Sequence, residues 1–183
     1  KFLTIPIFPN VEPVLTIKAP LIEGKILETP ILNMMNYQMA IASKTSRVTR
    51  AAGDVPVSAF GTRRAHGFDS ALYGNKASII AGCYNHSNLI TELKFGIPSI
   101  GTMSHSYVQS FGVGIEAEYN SFSSFIAGRK EKNASLILLV DTYSVKSGVK
   151  NAIKAFKNNG IDDNYKGLYG IRIDSGDLAY LSK

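Results

Sequence analysis

The sequence predicts an α/β protein, and three observations carry that prediction. From residue 55 onward, short apolar runs alternate with helix-like segments, the rhythm of βα units around a parallel sheet. These runs stop at polar or small residues: Gly61-Thr62-Arg63-Arg64, Asn85-His86-Ser87-Asn88, Gly101-Thr102 ahead of His105, Asp141-Thr142, and Asp174-Ser175-Gly176-Asp177. The composition, 45% hydrophobic and 19% charged over 183 residues, is that of a chain able to build a core. An open doubly wound sheet and part of a barrel both fit; periodicity alone does not choose between them.

Taken in order, residues 1–24 alternate apolar and polar and carry Pro6, Pro9, Pro13 and Pro20. They read as short strands joined by turns, the remnant of an N-terminal α+β domain. Residues 25–54 form a connecting long helix, with Ile26, Leu27, Ile31, Leu32, Met35, Met39 and Ala42 at three- and four-residue spacing. Thr29-Pro30 resembles an N-cap followed by proline at the first helical position, which places the start of the main helix there. Leu32, Met34, Met35 and Met39 read as core filler rather than a cofactor box. Lys44, Arg47 and Arg50 complement the helix dipole near its end.

Residues 55–183 form the α/β part. Strands are predicted at 55–60, 80–84, 97–100, 135–140 and 168–173. Helices are predicted at 69–81, where Gly74 is a weak point, at 89–95, at 106–125 with breaks at Gly112 and Gly114, and at 147–158. The run at 135–140 is the clearest buried strand.

Composition also excludes. The net charge is +6, from 20 basic and 14 acidic residues, as suits a protein that handles phosphorylated anions. The sole basic cluster longer than two residues, Arg129-Lys130-Glu131-Lys132, is interrupted by an acid, which argues against nucleic-acid binding. The longest apolar run is far short of the roughly 20 residues that span a bilayer, so no membrane role is expected. One cysteine, Cys83, cannot form an internal disulfide and fits a reducing compartment such as the cytoplasm. The chain lacks an initiating Met and ends in a helix-like stretch, and so reads as a piece of a longer protein.

In parallel α/β architectures the carboxyl ends of the strands share one face, and that face carries the site. Arg63 and Arg64 are suited to planar recognition of carboxylate or phosphate. Asp174 followed by Ser175-Gly176 suits a ribose diol or a metal-bound phosphate, with Asp177 as a capping-box acid. Asp141 ends the clearest strand. His105 is offered at a strand-to-helix turn, whereas His66 and His86 read as structural. Three histidines and one cysteine show no metal-ligand spacing, and there is no Walker loop or G-x-G-x-x-G.

These motifs have a familiar order. Phe60-Gly-Thr-Arg-Arg-Ala, Ser87-Asn88, Gly101-Thr-Met-Ser-His-Ser, Asp141-Thr-Tyr and Gly170-Ile-Arg-Ile-Asp-Ser-Gly-Asp-Leu resemble the nicotinate phosphoribosyltransferase family, from about residue 22 to the last. The resemblance implies a type II phosphoribosyltransferase fold, a partial irregular α/β barrel beside the N-terminal remnant, in an enzyme that is usually a homodimer. It implies that nicotinate and phosphoribosyl pyrophosphate give nicotinate mononucleotide and pyrophosphate, coupled to ATP hydrolysis, with Mg²⁺ carried on pyrophosphate. It further implies that His105 is the histidine phosphorylated by ATP and that Asp141 supports it. Arg63 would lie at the pyridine and phosphate site, with Arg64 beside it. Arg172 and Asp174 would contact substrate and ribose hydroxyls, with Ser175 and Gly176 as their turn. Ser87 and Asn88 match the tail of a Gly-Thr-Ser-Asn motif in which Asn85-His86 replaces Gly-Thr, and Ser144 stands where the family has a second Asp. A tyrosine that the family contributes from its N-terminal region and the later strands are missing, so the 183-residue piece alone is expected to be inactive. Competing readings are nicotinamide phosphoribosyltransferase, a phosphate-binding barrel isomerase or aldolase, and a binding fragment that keeps the fold without the site.

Overall fold

A computed structural model describes residues 2–7 and 12–183, with side chains from residue 14 onward. The chain divides into two compact units, Lys1–Ile100 and Gly101–Lys183.

The first unit opens with an antiparallel pair, β1 (Phe2–Ile7) and β2 (Glu12–Lys18), whose register shifts between Ile5 and Pro6. The turn expected around Pro9 lies outside the described residues. Helix α1 (Leu21–Ala52) then runs for 32 residues. It starts earlier than residues 25 or 29, because Pro20 takes the N-cap position and Pro30 sits inside the helix. An interior proline removes one i→i−4 bond and crowds one carbonyl. In so long a helix the remaining ladder carries the chain through.

Helix α2 (Phe68–Ile80) lies along α1 through a polar seam. Tyr37 Oη donates to the Ser70 carbonyl at 3.0 Å, Thr45 Oγ1 to Ser78 Oγ at 3.3 Å, and Thr49 Oγ1 to the Ala81 carbonyl at 3.2 Å. Gly74 is not a weak point of α2 but a contact: a Cβ there would stand 2.9 Å from Tyr37 Oη. The expectation that Leu32 and Met34 fill a core fails. Both are exposed, and Met35 and Met39 are half-buried, since the seam takes the Tyr37 and Thr45 side of the helix.

Two predicted strands of this unit are shorter than expected. β3 (Ser58–Ala59) pairs in parallel with β4 (Asn85–His86), and His86 bridges in parallel to Ser99. Residues 80–84, expected as a strand, are the end of α2 and a turn, and the ladder forms one step later at Asn85-His86. Helix α3 (Leu89–Phe95) follows where expected.

The second unit holds α4 (His105–Gln109), α5 (Ile115–Ala127), β5 (Leu136–Leu139), α6 (Val145–Asn158), β6 (Tyr169–Arg172) and α7 (Leu178–Leu181). The helix expected over 106–125 is two helices, broken at Gly112 and Gly114, which both take positive φ. β5 and β6 pair in parallel, Leu136 with Tyr169 through Leu139 with Arg172. The core forms around β5: Leu136, Leu138, Leu139 and Val140 are at most 1% exposed, against Val108, Phe122, Ile126, Ala152 and Ala155. Burying each large aliphatic side chain is worth about 2 kcal/mol. Helix α6 closes onto the end of β5 at Gly148, where a Cβ would stand 2.0 Å from the Val140 carbonyl oxygen. Glycine is what lets the helix start so near the strand that carries Asp141.

Candidate functional site

The site of the second unit follows from the register of β5 and β6. Carried two residues beyond Leu139 and Arg172, that register sets Asp141 opposite Asp174. The Asp174 N–H donates to Asp141 Oδ2 at 3.0 Å, and Ser175 Oγ donates to the same oxygen at 2.6 Å. The Asp141 side chain is 2% exposed, and its other oxygen, Oδ1, is buried without a hydrogen-bond partner. A buried carboxylate oxygen left open in this way is costly unless something supplies a donor.

That oxygen faces His105. The histidine is the first residue of α4, held there by Ser104, whose side chain accepts from the Tyr107 N–H at 3.2 Å. His105 Nε2 lies 4.0 Å from Asp141 Oδ1 and 3.6 Å from Asp174 Oδ2. Nδ1 lies 3.1 Å from Thr142 Oγ1. The imidazole is 39% exposed and so open to a ligand.

Arg172, the last residue of β6, bonds to Asp174 Oδ1 through Nη2 and donates from Nη1 to Thr102 Oγ1 at 2.6 Å. Its guanidinium thus ties the residues after β6 to the stretch that leads into His105. Gly176 takes a φ of +83°, which a side chain would strain. The turn it allows delivers Asp177 to the N-cap of α7, where its side chain accepts from the Tyr180 N–H at 3.1 Å. Asp177 was expected as a capping-box acid; it is the cap itself, because α7 starts one residue after it.

Five of the expected residues are therefore assembled in one unit: His105, Asp141, Arg172, Asp174 and Ser175, with Gly176 shaping the turn. Thr102 and Thr142 join them. Both stand among the polar strand ends of the sequence, Gly101-Thr102 and Asp141-Thr142, but the sequence assigns neither hydroxyl a partner.

The remaining expected residues lie in the first unit. Arg63 and Arg64 are exposed on a single 3-10 turn, Thr62–Arg64, that follows β3. Ser87 is half-buried, and its N–H donates to the Ala59 carbonyl at 3.3 Å. Asn88 caps α3, its Oδ1 accepting from the Ile90 and Thr91 N–H groups at 3.0 and 3.3 Å. His86 is fully buried, and its Nδ1 accepts from the Asn88 N–H at 3.2 Å. His66 is exposed. Among the described residues, no group of three His, Cys, Asp or Glu side chains could hold a metal ion. None of the described helices is long and apolar enough to cross a membrane.

No family model matches the chain. Individual proteins do. It is 42% identical over 175 residues to the nicotinate phosphoribosyltransferase of Bacillus subtilis (strain 168), covering 95% of this chain and 34% of that protein. It is 42% identical over 177 residues to a nicotinate phosphoribosyltransferase of Mycobacterium tuberculosis (strain H37Rv), covering 97% of this chain and 36% of that one. The crystal structure of human nicotinic acid phosphoribosyltransferase superposes with a TM-score of 0.74 at 26% identity, over 97% of this chain and 44% of that chain. Nicotinate-nucleotide pyrophosphorylase from Pyrococcus furiosus superposes with a TM-score of 0.60 at 27% identity, over 76% of this chain and 33% of that chain. The resemblance read from the motifs is thus borne out along nearly the whole sequence, and so is the expected partial α/β fold of the phosphoribosyltransferase kind. The chain spans about a third of the length of the curated relatives it matches.

Proposed function

We propose that this chain, homologous to nicotinate phosphoribosyltransferases over 95–97% of its length, is the part of such an enzyme that carries its phosphorylatable histidine. The observation that supports the reading is that the paired strand-end acids Asp141 and Asp174 both face Nε2 of His105. In the proposed reaction, the pyridine nitrogen of nicotinate attacks the anomeric carbon of phosphoribosyl pyrophosphate. The bond to the pyrophosphate oxygen breaks, and its electron pair leaves with pyrophosphate. The transition state resembles an oxocarbenium ion, so positioning and charge stabilisation matter more than a strong base.

The residues take distinct roles. Arg172 and Asp174 hold the ribose hydroxyls and phosphate, Asp174 kept in place by its backbone bond to Asp141. Arg63 and Arg64 are assigned to the carboxylate and phosphate of substrate, with Ser87 contributing its hydroxyl; Asn88 contributes by fixing the backbone through its cap. Ser175 and Gly176 shape the turn. Mg²⁺ is assigned to the substrate's pyrophosphate, where it neutralises leaving-group charge, because the described side chains offer no cage of their own.

ATP is assigned to His105 as a co-substrate. A ring nitrogen forms a bond to the γ-phosphorus, the bond from phosphorus to the bridging oxygen breaks, and ADP leaves with the electron pair. The ring then carries positive charge, and Asp141 and Asp174 face it. The same reading places residues 1–24 in a companion N-terminal domain, residues 25–54 in its connecting helix and residues 55–183 in the barrel, within a cytoplasmic homodimer.

The test is an assay of the intact protein with phosphoribosyl pyrophosphate and either nicotinate or nicotinamide, with and without ATP. Nicotinate mononucleotide formation, raised by ATP, is expected. Turnover of nicotinamide alone, or none with either base, would overturn the reading.

A further inference from the structure

Thr142 stands at the one ring nitrogen of His105 that no carboxylate faces. Its Oγ1 is 3.1 Å from Nδ1, while Asp174 and Asp141 face Nε2 at 3.6 and 4.0 Å. An ionised carboxylate only accepts, so the neutral ring carries its proton on Nε2 and its lone pair on Nδ1. That lone pair calls for a donor, and a threonine hydroxyl is one. When the ring is doubly protonated, Nδ1 becomes a donor, and the same hydroxyl rotates to accept. A hydroxyl serves both states; a methyl group serves neither.

The backbone makes this arrangement rigid. Asp141 and Thr142 are consecutive, so one turn out of β5 presents a carboxylate to one side of the ring and a hydroxyl to the other. Asp141 is itself tethered by the Asp174 N–H and Ser175 Oγ, and Gly148 brings α6 down onto Val140 just before it. At 39% exposure, the imidazole is only partly enclosed, and the hydrogen bond to Thr142 opposes its turning over about the Cβ–Cγ bond, a turn that would take Nε2 away from both acids.

We propose that Thr142 is a positioning residue: its hydroxyl fixes the orientation of His105 and so keeps Nε2 on the Asp141–Asp174 pair, which sets the tautomer. The proposed consequence for ATP coupling rests on the reading of His105 as phosphoryl acceptor, with the lone pair of Nδ1 attacking as the Thr142 hydroxyl turns from it to the incoming phosphate; the orientation itself does not.

The test uses the intact protein labelled with ¹⁵N-histidine, with His105 assigned by comparison with His105→Ala. Wild type and Thr142→Ser should show one tautomer, protonated on Nε2. Thr142→Val should show a mixture of tautomers. In parallel, the kcat of ATP-stimulated synthesis should fall about fivefold in Thr142→Val, the scale of one lost hydrogen bond. KM for ATP should hold within about twofold, and Thr142→Ser should restore the rate. A single Nε2–H tautomer in Thr142→Val, or Thr142→Ser behaving like Thr142→Val, would overturn the proposal. If Thr142→Val mixes the tautomers while His105→Ala retains ATP stimulation, the positioning stands and the phosphoryl reading falls.

Discussion

The strand ends of the two units are built in opposite ways. At the end of β5 the strand is apolar and buried, β6 beside it is half-exposed, and the polar residues come just after both, bonded to one another. At β4 the strand itself is polar: Asn85 and His86 are both buried, and Asn85 Oδ1 and His86 Nε2 have no hydrogen-bond partner. The first arrangement uses a well-packed core to hold a charged cluster at its rim. The second spends polar groups inside a two-residue ladder and presents its arginines from an exposed turn. The difference teaches that precision of a site comes from the packing beneath it. A four-residue strand with a fixed partner register sets two acids opposite each other; a two-residue strand sets little.

The largest expected effect attacks that packing directly. Gly148→Ala places a methyl group 2.0 Å from the Val140 carbonyl oxygen, a distance no adjustment of side chains relieves. Helix α6 must move off β5, at a cost of about 3 kcal/mol. Denaturant unfolding should show the loss, and the intact protein should lose the proposed activity because Asp141 and Thr142 shift with the strand end. A mild effect at Gly148 would mean that the rim does not depend on the packing below.

A smaller effect is expected at Arg172→Lys. Charge is kept, but the fork that bonds both Thr102 and Asp174 is lost. The expected outcome is about a tenfold fall in kcat/KM for phosphoribosyl pyrophosphate with little change in stability. An unchanged kcat/KM would show that Arg172 serves only as a surface cation.

The smallest effect concerns Glu118 of α5, buried against α6. Its Oε2 accepts from Asn151 Nδ2 at 2.8 Å, while Oε1 has no partner. Burial pushes its carboxyl above the usual value of 4.5, and the Asn151 bond only partly opposes this. The fold therefore favours the protonated acid. Its contribution to stability is fully present below pH 4.5 and is lost as pH rises through the raised folded value. Glu118→Gln should remove that slope and stabilise the protein at pH 7 by about 1 kcal/mol. Thermal melts of both proteins between pH 4 and pH 7 would read it, and parallel curves would refute the burial argument.

How much of this was legible in the sequence follows from the same contrast. Leu136–Leu139 was visible as a strand because four consecutive aliphatic residues need two covered faces. Asp141, Asp174 and His105 were visible because each follows an apolar run. The pairing of Asp141 with Asp174 was not, since register is a property of two strands and not of either alone. β4 was misplaced because Asn and His carry no strand signal; its ladder with Ser58–Ala59 is imposed from outside. The start of α1 was misplaced because Thr29-Pro30 carries a true local signal that a 32-residue helix overrides. Thr142 was visible as part of a polar strand end but without a role, because a hydroxyl gains its role only from the ring nitrogen beside it.

The central claim is that His105 takes up phosphate and thereby couples ATP to nucleotide synthesis. The most direct measurement compares ATP stimulation of nicotinate mononucleotide formation in the intact wild-type protein and in His105→Ala. The account predicts stimulation in the wild type and its loss in His105→Ala, with basal synthesis remaining. Equal stimulation in the two proteins would contradict it.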